Sequence, residues 1–151
     1  MPKTAFLMLL ITGLALFSGC GSRPSDISSI DTVTAKNPLP PCPDSPNCIR
    51  ITKKIGRPAD VAWQAAVDAL KNIDPEHINL SRDQWKIDSV FRVFFFRDDM
   101  VLQLTEDRDA PGSSYLHIRS ASREGYSDLG VNTRRVRAFL DELERLLESA
   151  E

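Results

Sequence analysis

Apolar and polar positions divide the chain into an N-terminal apolar run, a polar stretch without periodicity, and a patterned region that begins near Pro58. Trp63, Ala66, Val67, Leu70 and Ile73 recur at helical spacing and predict a helix over Pro58 to Asn72. Pro58 suits its first turn, Asp60 its positive end, and Pro75 follows its close. Ile78 to Ser81 reads as a short strand. In the longer run Lys86 to Phe96, Ile87, Phe91, Val93 and Phe95 share one phase, while Phe94 and Phe96 fall in the other. Both faces become apolar at that end, which suggests a bulge. Arg97-Asp98-Asp99 reads as a polar turn, after which Met100, Leu102 and Leu104 alternate with Val101, Gln103 and Thr105. Beyond the Pro111-Gly112 break, Tyr115 to Ala121 makes the last strand, with Leu116 and Ile118 on one side and Tyr115, His117 and Arg119 on the other. Val136, Phe139, Leu140, Leu143, Leu146 and Leu147 close the chain as an amphipathic helix. The pattern predicts an α+β fold: a three- to four-stranded antiparallel sheet with an N-terminal and a C-terminal helix packed on one face. The second sheet face is then either solvated or a binding surface.

The N-terminal run has the three-part build of a secretory signal, with Lys3 as the positive start, Ala5 to Phe17 as the apolar stretch, and small residues Ser18 and Gly19 before Cys20. The apolar stretch is shorter than the roughly 20 residues a membrane-spanning helix needs. Leu16-Phe17-Ser18-Gly19-Cys20 resembles a bacterial lipobox, in which the cysteine takes a diacylglycerol and becomes the new N-terminus. An ordinary signal peptide cut elsewhere, or an uncleaved anchor, is the rival reading. In the resemblance to Gram-negative lipoproteins, Gly21 is not the Asp that retains them at the inner membrane. The expected location is therefore the outer membrane, facing the periplasm, with acyl chains on Cys20 as the membrane contact. Each buried methylene contributes about 0.8 kcal/mol to such an anchor.

Removing residues 1–19 takes one positive charge, Lys3, from a formal net charge of −2 and leaves −3 on 132 residues. That balance argues against bulk nucleic-acid binding, and the length suits one domain. The expected organisation is a signal peptide over 1–19, a lipidated Cys20 with a flexible tether over 20–40, and a single globular domain over 41–151. The tether reading rests on the Ser, Thr, Asp and Pro content of Gly21 to Pro41, which cannot bury enough surface to fold. Cys42 and Cys48 lie in a proline-stiffened turn, and in an oxidising compartment they suggest a small disulfide loop. Zinc is a rival, but the five-residue spacing and the absence of a nearby His disfavour it, and two free thiols are a third reading. No metal site and no cofactor is expected.

The densest polar information runs from Arg119 to Arg135, between the last strand and the last helix. Cys42-Pro43-Asp44-Ser45-Pro46-Asn47-Cys48 and the block centred on Gly125-Tyr126-Ser127-Asp128-Leu129-Gly130-Val131-Asn132 together resemble the domain of unknown function 1499, a family of bacterial and plastid proteins. The likeness spans roughly Pro41 to Leu147, and membership brings no established activity. Glu124 and Thr133 depart from the family's commoner residues at those positions.

Asp128 or Asn132 can cap the last helix. Arg134, Arg135 and Arg137 then fall in its first turns and Asp141, Glu142, Glu144 and Glu148 toward its end, an order that opposes the helix dipole. Arginines beside free helix N–H groups supply what an anion site needs. The candidate ligand-binding set is Arg119, Ser122, Arg123, Tyr126, Asp128, Asn132, Arg134 and Arg135. The structural alternative pairs Arg137 with Asp141 and Asp141 with Arg145, and uses Arg123 or Arg135 to hold Asp128. A hydrolase would recruit Ser120 or Ser122 with His117 and Asp128, yet strand alternation sends Ser120 and His117 to opposite faces, and no nucleophile elbow, zinc helix or phosphate loop is present. No catalytic residue is assigned. The reading is a periplasm-facing lipoprotein that binds an anionic or polar envelope ligand or protein partner, with a structural envelope or assembly factor as the alternative.

Overall fold

Ile49 and Ile51 alternate with Arg50 and Thr52, and this short pattern opens the fold as strand β1, Cys48–Ile55. A computed structural model describes residues 32–33 and 35–149. The signal segment, Cys20 and the first part of the tether lie outside the described residues. After β1 come helix α1 (Ala59–Asn72), strands β2 (His77–Ser81), β3 (Lys86–Val93), β4 (Phe96–Glu106) and β5 (Ser114–Ser122), and helix α2 (Val131–Ser149). The α+β class holds, with a sheet of five antiparallel strands in the order β1-β5-β4-β3-β2 rather than three or four. The helix expected near Pro58 forms, but β1 precedes it, so no helix opens the domain. β1 escapes the periodicity argument because Lys53 stands where a third apolar residue would continue the alternation. Its aliphatic stem crosses toward α2, where its ammonium bonds Glu144.

Pro58 sits one residue before α1, and Ala62 N–H donates to its carbonyl at 3.0 Å. Asp74, with φ +57°, turns the chain out of the helix. Both helices cover one sheet face. Ile51, Ile87, Leu102 and Ile118 from the sheet meet Trp63, Leu70, Phe139 and Leu143 in a single apolar cluster. Burying each such side chain contributes roughly 1.5–3 kcal/mol.

The largest departure from the expected pattern is at the β3–β4 connection. Arg97-Asp98-Asp99 is not a turn; it lies inside β4, where Asp98 opposes Phe91 of β3 and Ser122 of β5. Nor is there a bulge in one long strand. The chain reverses at Phe94-Phe95, with Phe94 in the left-handed region at φ +55°. An uninterrupted apolar run therefore hides a hairpin, because the reversal uses no Gly, Asn or Pro to announce it.

The second sheet face is partly covered. Val33 N–H donates to Thr52 O at 3.0 Å, Asn37 Nδ2 to Ile51 O at 2.8 Å, and Arg50 to the carbonyls of Leu39 and Asn37. Part of the stretch read as tether thus lies along β1. Beneath this edge His117 is buried between the hydroxyls of Thr52 and Thr105, at 2.9 and 3.0 Å. Burial, with the nearby Arg50 charge, pushes its pKa down to about 4. An imidazole in the unfolded chain titrates near 6.5. Between those two values the unfolded chain binds a proton that the folded chain refuses, so stability falls as pH drops through that window. The slope should reach about 1.4 kcal/mol per pH unit at its steepest. Urea midpoints measured from pH 7 to pH 5 should decline for the native chain and stay nearly flat for His117→Gln.

Candidate functional site

Extending the alternation of Met100, Leu102 and Leu104 backward along β4 places Asp98 on the buried face. A carboxylate there needs a cation, and α2 supplies it. Arg135 Nη2 donates to Asp98 Oδ2 at 2.7 Å, with both side chains more than nine-tenths buried. The guanidinium also lies over the Phe91 ring, 4.5 Å from its centroid. Its other arm reaches Asn132 Oδ1 at 2.7 Å and Ser120 Oγ at 3.3 Å.

Asn132 is the hub of the corner. Its Oδ1 accepts from Ser120 Oγ at 2.6 Å as well as from Arg135, and its Nδ2 faces Asn47 O, Ser122 Oγ and Asp128 Oδ2. Asp128 in turn accepts from the backbone N–H groups of Gly130 at 2.9 Å and Asn132 at 2.7 Å. One of the donors that a helix start leaves unsatisfied, Asn132 N–H, is met in this way, together with the N–H of the preceding Gly130. Asn47, beside the Cys42–Cys48 disulfide, donates to Gly125 O at 2.6 Å and ties the N-terminal loop to the 123–130 loop. One connected network therefore joins the loop before β1, strands β4 and β5, and the start of α2.

The geometry gives each residue of the expected anion site a place and a partner. Arg135 holds Asp98 rather than Asp128. Arg123 makes a two-pronged pair with Asp99, at 2.7 to 3.1 Å. Arg134 Nη1 donates to Leu129 O at 2.9 Å. Arg119 does not join the corner: it points to the opposite sheet face, opposite Arg50 of β1 and Val101 of β4. Ser122, Asp128 and Asn132 are spent on one another. Along α2, Arg145 pairs with Glu142 rather than Asp141. The Ser/His/Asp set is dispersed as well, with Ser120 bonded to Asn132 on the helix side and His117 held between two threonines on the other face. Among the described residues no group of His, Cys, Asp and Glu could hold a metal ion.

Beside the network lies a cleft of about 240 Å³ between the β3–β4 hairpin tip and the 123–130 loop. Val93, Phe94, Phe96, Leu129 and Val131 form its apolar walls, and Asp98, Glu124 and Asp128 its polar edge. Among the described residues no arginine lines it. Phe94 is 87% exposed, Phe95 91%, Leu129 84% and Tyr126 74%. Of the expected site residues Ser122 and Asp128 line the cleft, Tyr126 is exposed in the same loop without lining it, and Phe94 and Phe96 come from a run whose pattern predicts a strand interior. Exposure of that run would have been legible only from its length, since three consecutive Phe cannot all face one core.

The buried pair and the exposed pair should separate cleanly under substitution. Asp98→Ala strands the Arg135 charge in an apolar setting and should cost about 3–5 kcal/mol. Arg123→Ala removes a solvent-exposed pair and should cost less than about 1 kcal/mol. Equilibrium urea unfolding of both variants measures the difference.

No curated protein sequence matches this chain. Among solved structures it is similar to the Zhui aromatase/cyclase from Streptomyces sp. R1128, at 12% identity and a TM-score of 0.43, over 69% of this chain and 95% of that one. A START superfamily protein from Mycobacterium smegmatis gives 10% identity and 0.43, over 68% and 95%. A protein from Chromobacterium violaceum gives 15% and 0.42, over 68% and 99%. Likeness at this level carries no inference about activity. The family model described as a protein of unknown function, DUF1499, matches residues 38–143, and the chain belongs to that family.

Proposed function

We propose that the domain is a binding module of the cell envelope, held by acyl chains on Cys20 at the outer membrane and facing the periplasm, with the cleft beside the β3–β4 tip as its contact surface. The observation that supports this reading is the shared state of Phe94 and Leu129. Each is a bulky apolar residue in the left-handed backbone region, at φ +55° and +53°, and each is almost fully exposed on opposite walls of the same cleft. That conformation costs roughly 1–2 kcal/mol for a residue with a side chain, and exposure returns nothing in folding. Stability alone would favour Gly or Asn at both positions. A ligand that covers them recovers roughly 1.5–3 kcal/mol for each large apolar side chain it buries.

The lining selects an amphipathic ligand with an apolar body, in place of the small anion suggested by the arginine count. Its walls are aromatic and aliphatic, its rim carries carboxylates, and the arginines around it already have carboxylate or carbonyl partners.

A short-chain phospholipid kept below its micelle concentration tests this. Titrated into the Cys20→Ser chain, which has no acylation site, it should shift the backbone amide resonances of Gly125 to Val131. Leu129→Asp should weaken the binding at least about tenfold, the equivalent of roughly 1.4 kcal/mol, while Arg123→Ala should leave it unchanged. Loss of binding in Arg123→Ala with Leu129→Asp unaffected would return the site to an anion.

A further inference from the structure

We infer that the occupant of this surface is the bilayer itself: the tip formed by Phe94, Phe95 and Phe96, with Leu129 and Tyr126 beside it, seats in the lipid interface of the membrane that holds the chain's own anchor. This rests on the proposed contact surface and names its partner. Three observations carry it.

First, the apolar exposure is concentrated at one end of the sheet. Five of the seven large hydrophobic residues exposed among the described residues are Phe94, Phe95, Phe96, Tyr126 and Leu129. Rigid aromatic rings with a phenol at the margin match the layered polarity of a membrane interface, where Tyr and Trp are enriched.

Second, the backbone at this end is prepared to leave water. A carbonyl that enters lipid must be satisfied from within the protein. Arg92 Nε donates to Phe94 O at 3.3 Å, Arg134 Nη1 to Leu129 O at 2.9 Å, and Asn47 Nδ2 to Gly125 O at 2.6 Å. Loop carbonyls bathed in solvent would need none of these partners. Arg97 pairs with Glu76 and Arg123 with Asp99, while Arg92 and Arg134, nearest the tip, donate to carbonyls and keep their charge. Two cations held at the rim suit a lipid interface whose phosphates are anionic. The long arginine stems allow their heads to stay at the phosphate level while the rings go deeper.

Third, the chain length permits it. Val33 is fixed to Thr52 on β1, and Cys20 lies thirteen residues earlier. An extended segment of that length reaches about 45 Å. Thr52 is aligned through His117 with Gln103, eight residues along β4 from Phe95. That distance is about 27 Å at the rise of a strand. The anchor and the tip therefore reach the same membrane surface.

Brominated phospholipids test the contact in the complete acylated chain. Phe95→Trp places an indole at the tip, and Leu80→Trp places one on β2 at the far end of the sheet; both positions are exposed, so neither change disturbs the core. Both chains are reconstituted into phosphatidylethanolamine and phosphatidylglycerol vesicles with bromines high on the acyl chains, and the native emission of Trp63 and Trp85 is subtracted. The added indole of Phe95→Trp should be blue-shifted and quenched at least about twofold more than that of Leu80→Trp. Equal quenching overturns the inference. If the monomeric phospholipid still shifts the Gly125 to Val131 amides in that case, the contact surface stands and only the bilayer is excluded. A blue shift that grows with protein concentration and ignores bromine overturns it in favour of a second copy of the chain.

Discussion

The buried pair between Arg135 and Asp98 is the constraint from which the rest of this corner follows. A carboxylate on the apolar side of β4 would be strongly unfavourable by itself, and a guanidinium from α2 is the group that makes the position tenable. Meeting that requirement fixes the start of α2 over the β4–β5 end of the sheet. Asn132 then spends its amide on Asn47 just before β1, on β5 and on Asp128 together, so the N-terminal loop, the last strand and the helix start share one hydrogen-bond network. A network of this kind is favourable only when every member is satisfied, and here the amide of Asn132 has partners on both of its ends.

The order of charge along α2 acquires a reason from the same pair. Arginines in the first turns work against the helix dipole, at roughly 0.3–1 kcal/mol each when exposed. Arg135 offsets this by neutralising Asp98, and the Asp128 carboxylate restores negative charge beside the helix N–H groups. Arg134 acts differently, closing the carbonyl of Leu129. What looks in one dimension like a cationic cluster is, in three, a set of cations each assigned to a different acceptor. The surface they leave is apolar.

That surface is where conformational cost and exposure coincide. Phe94 and Leu129 adopt backbone angles that side chains disfavour, and do so without burial. The disulfide loop, through Asn47, and the α2 network tie down the 123–130 loop that forms one wall of the cleft. For the proposed ligand, a preformed apolar concavity would supply affinity by removing area from water with little loss of order.

Periodicity determined the elements with long, clean repeats: both helices, the β4 and β5 alternation, and the α+β class followed from Trp63 to Ile73, Met100 to Thr105, Leu116 with Ile118, and Val136 to Leu147. The family likeness was legible in the Cys42–Cys48 and Gly125–Asn132 blocks for the same reason, since both are local strings. Strand β1 was lost because Lys53 interrupts its alternation, and the hairpin because Phe94-Phe95 carries no turn signal. The site was decided by tertiary structure. Residue type told that Arg123, Arg134 and Arg135 would be cations near a helix start, but which acceptor each one meets depends on strands brought together from distant parts of the chain. Asp98 is the clearest case: its neighbours in sequence mark a polar turn, and only the continuation of β4 through it, paired with β3 and β5, puts it in phase with Met100 and brings it to Arg135.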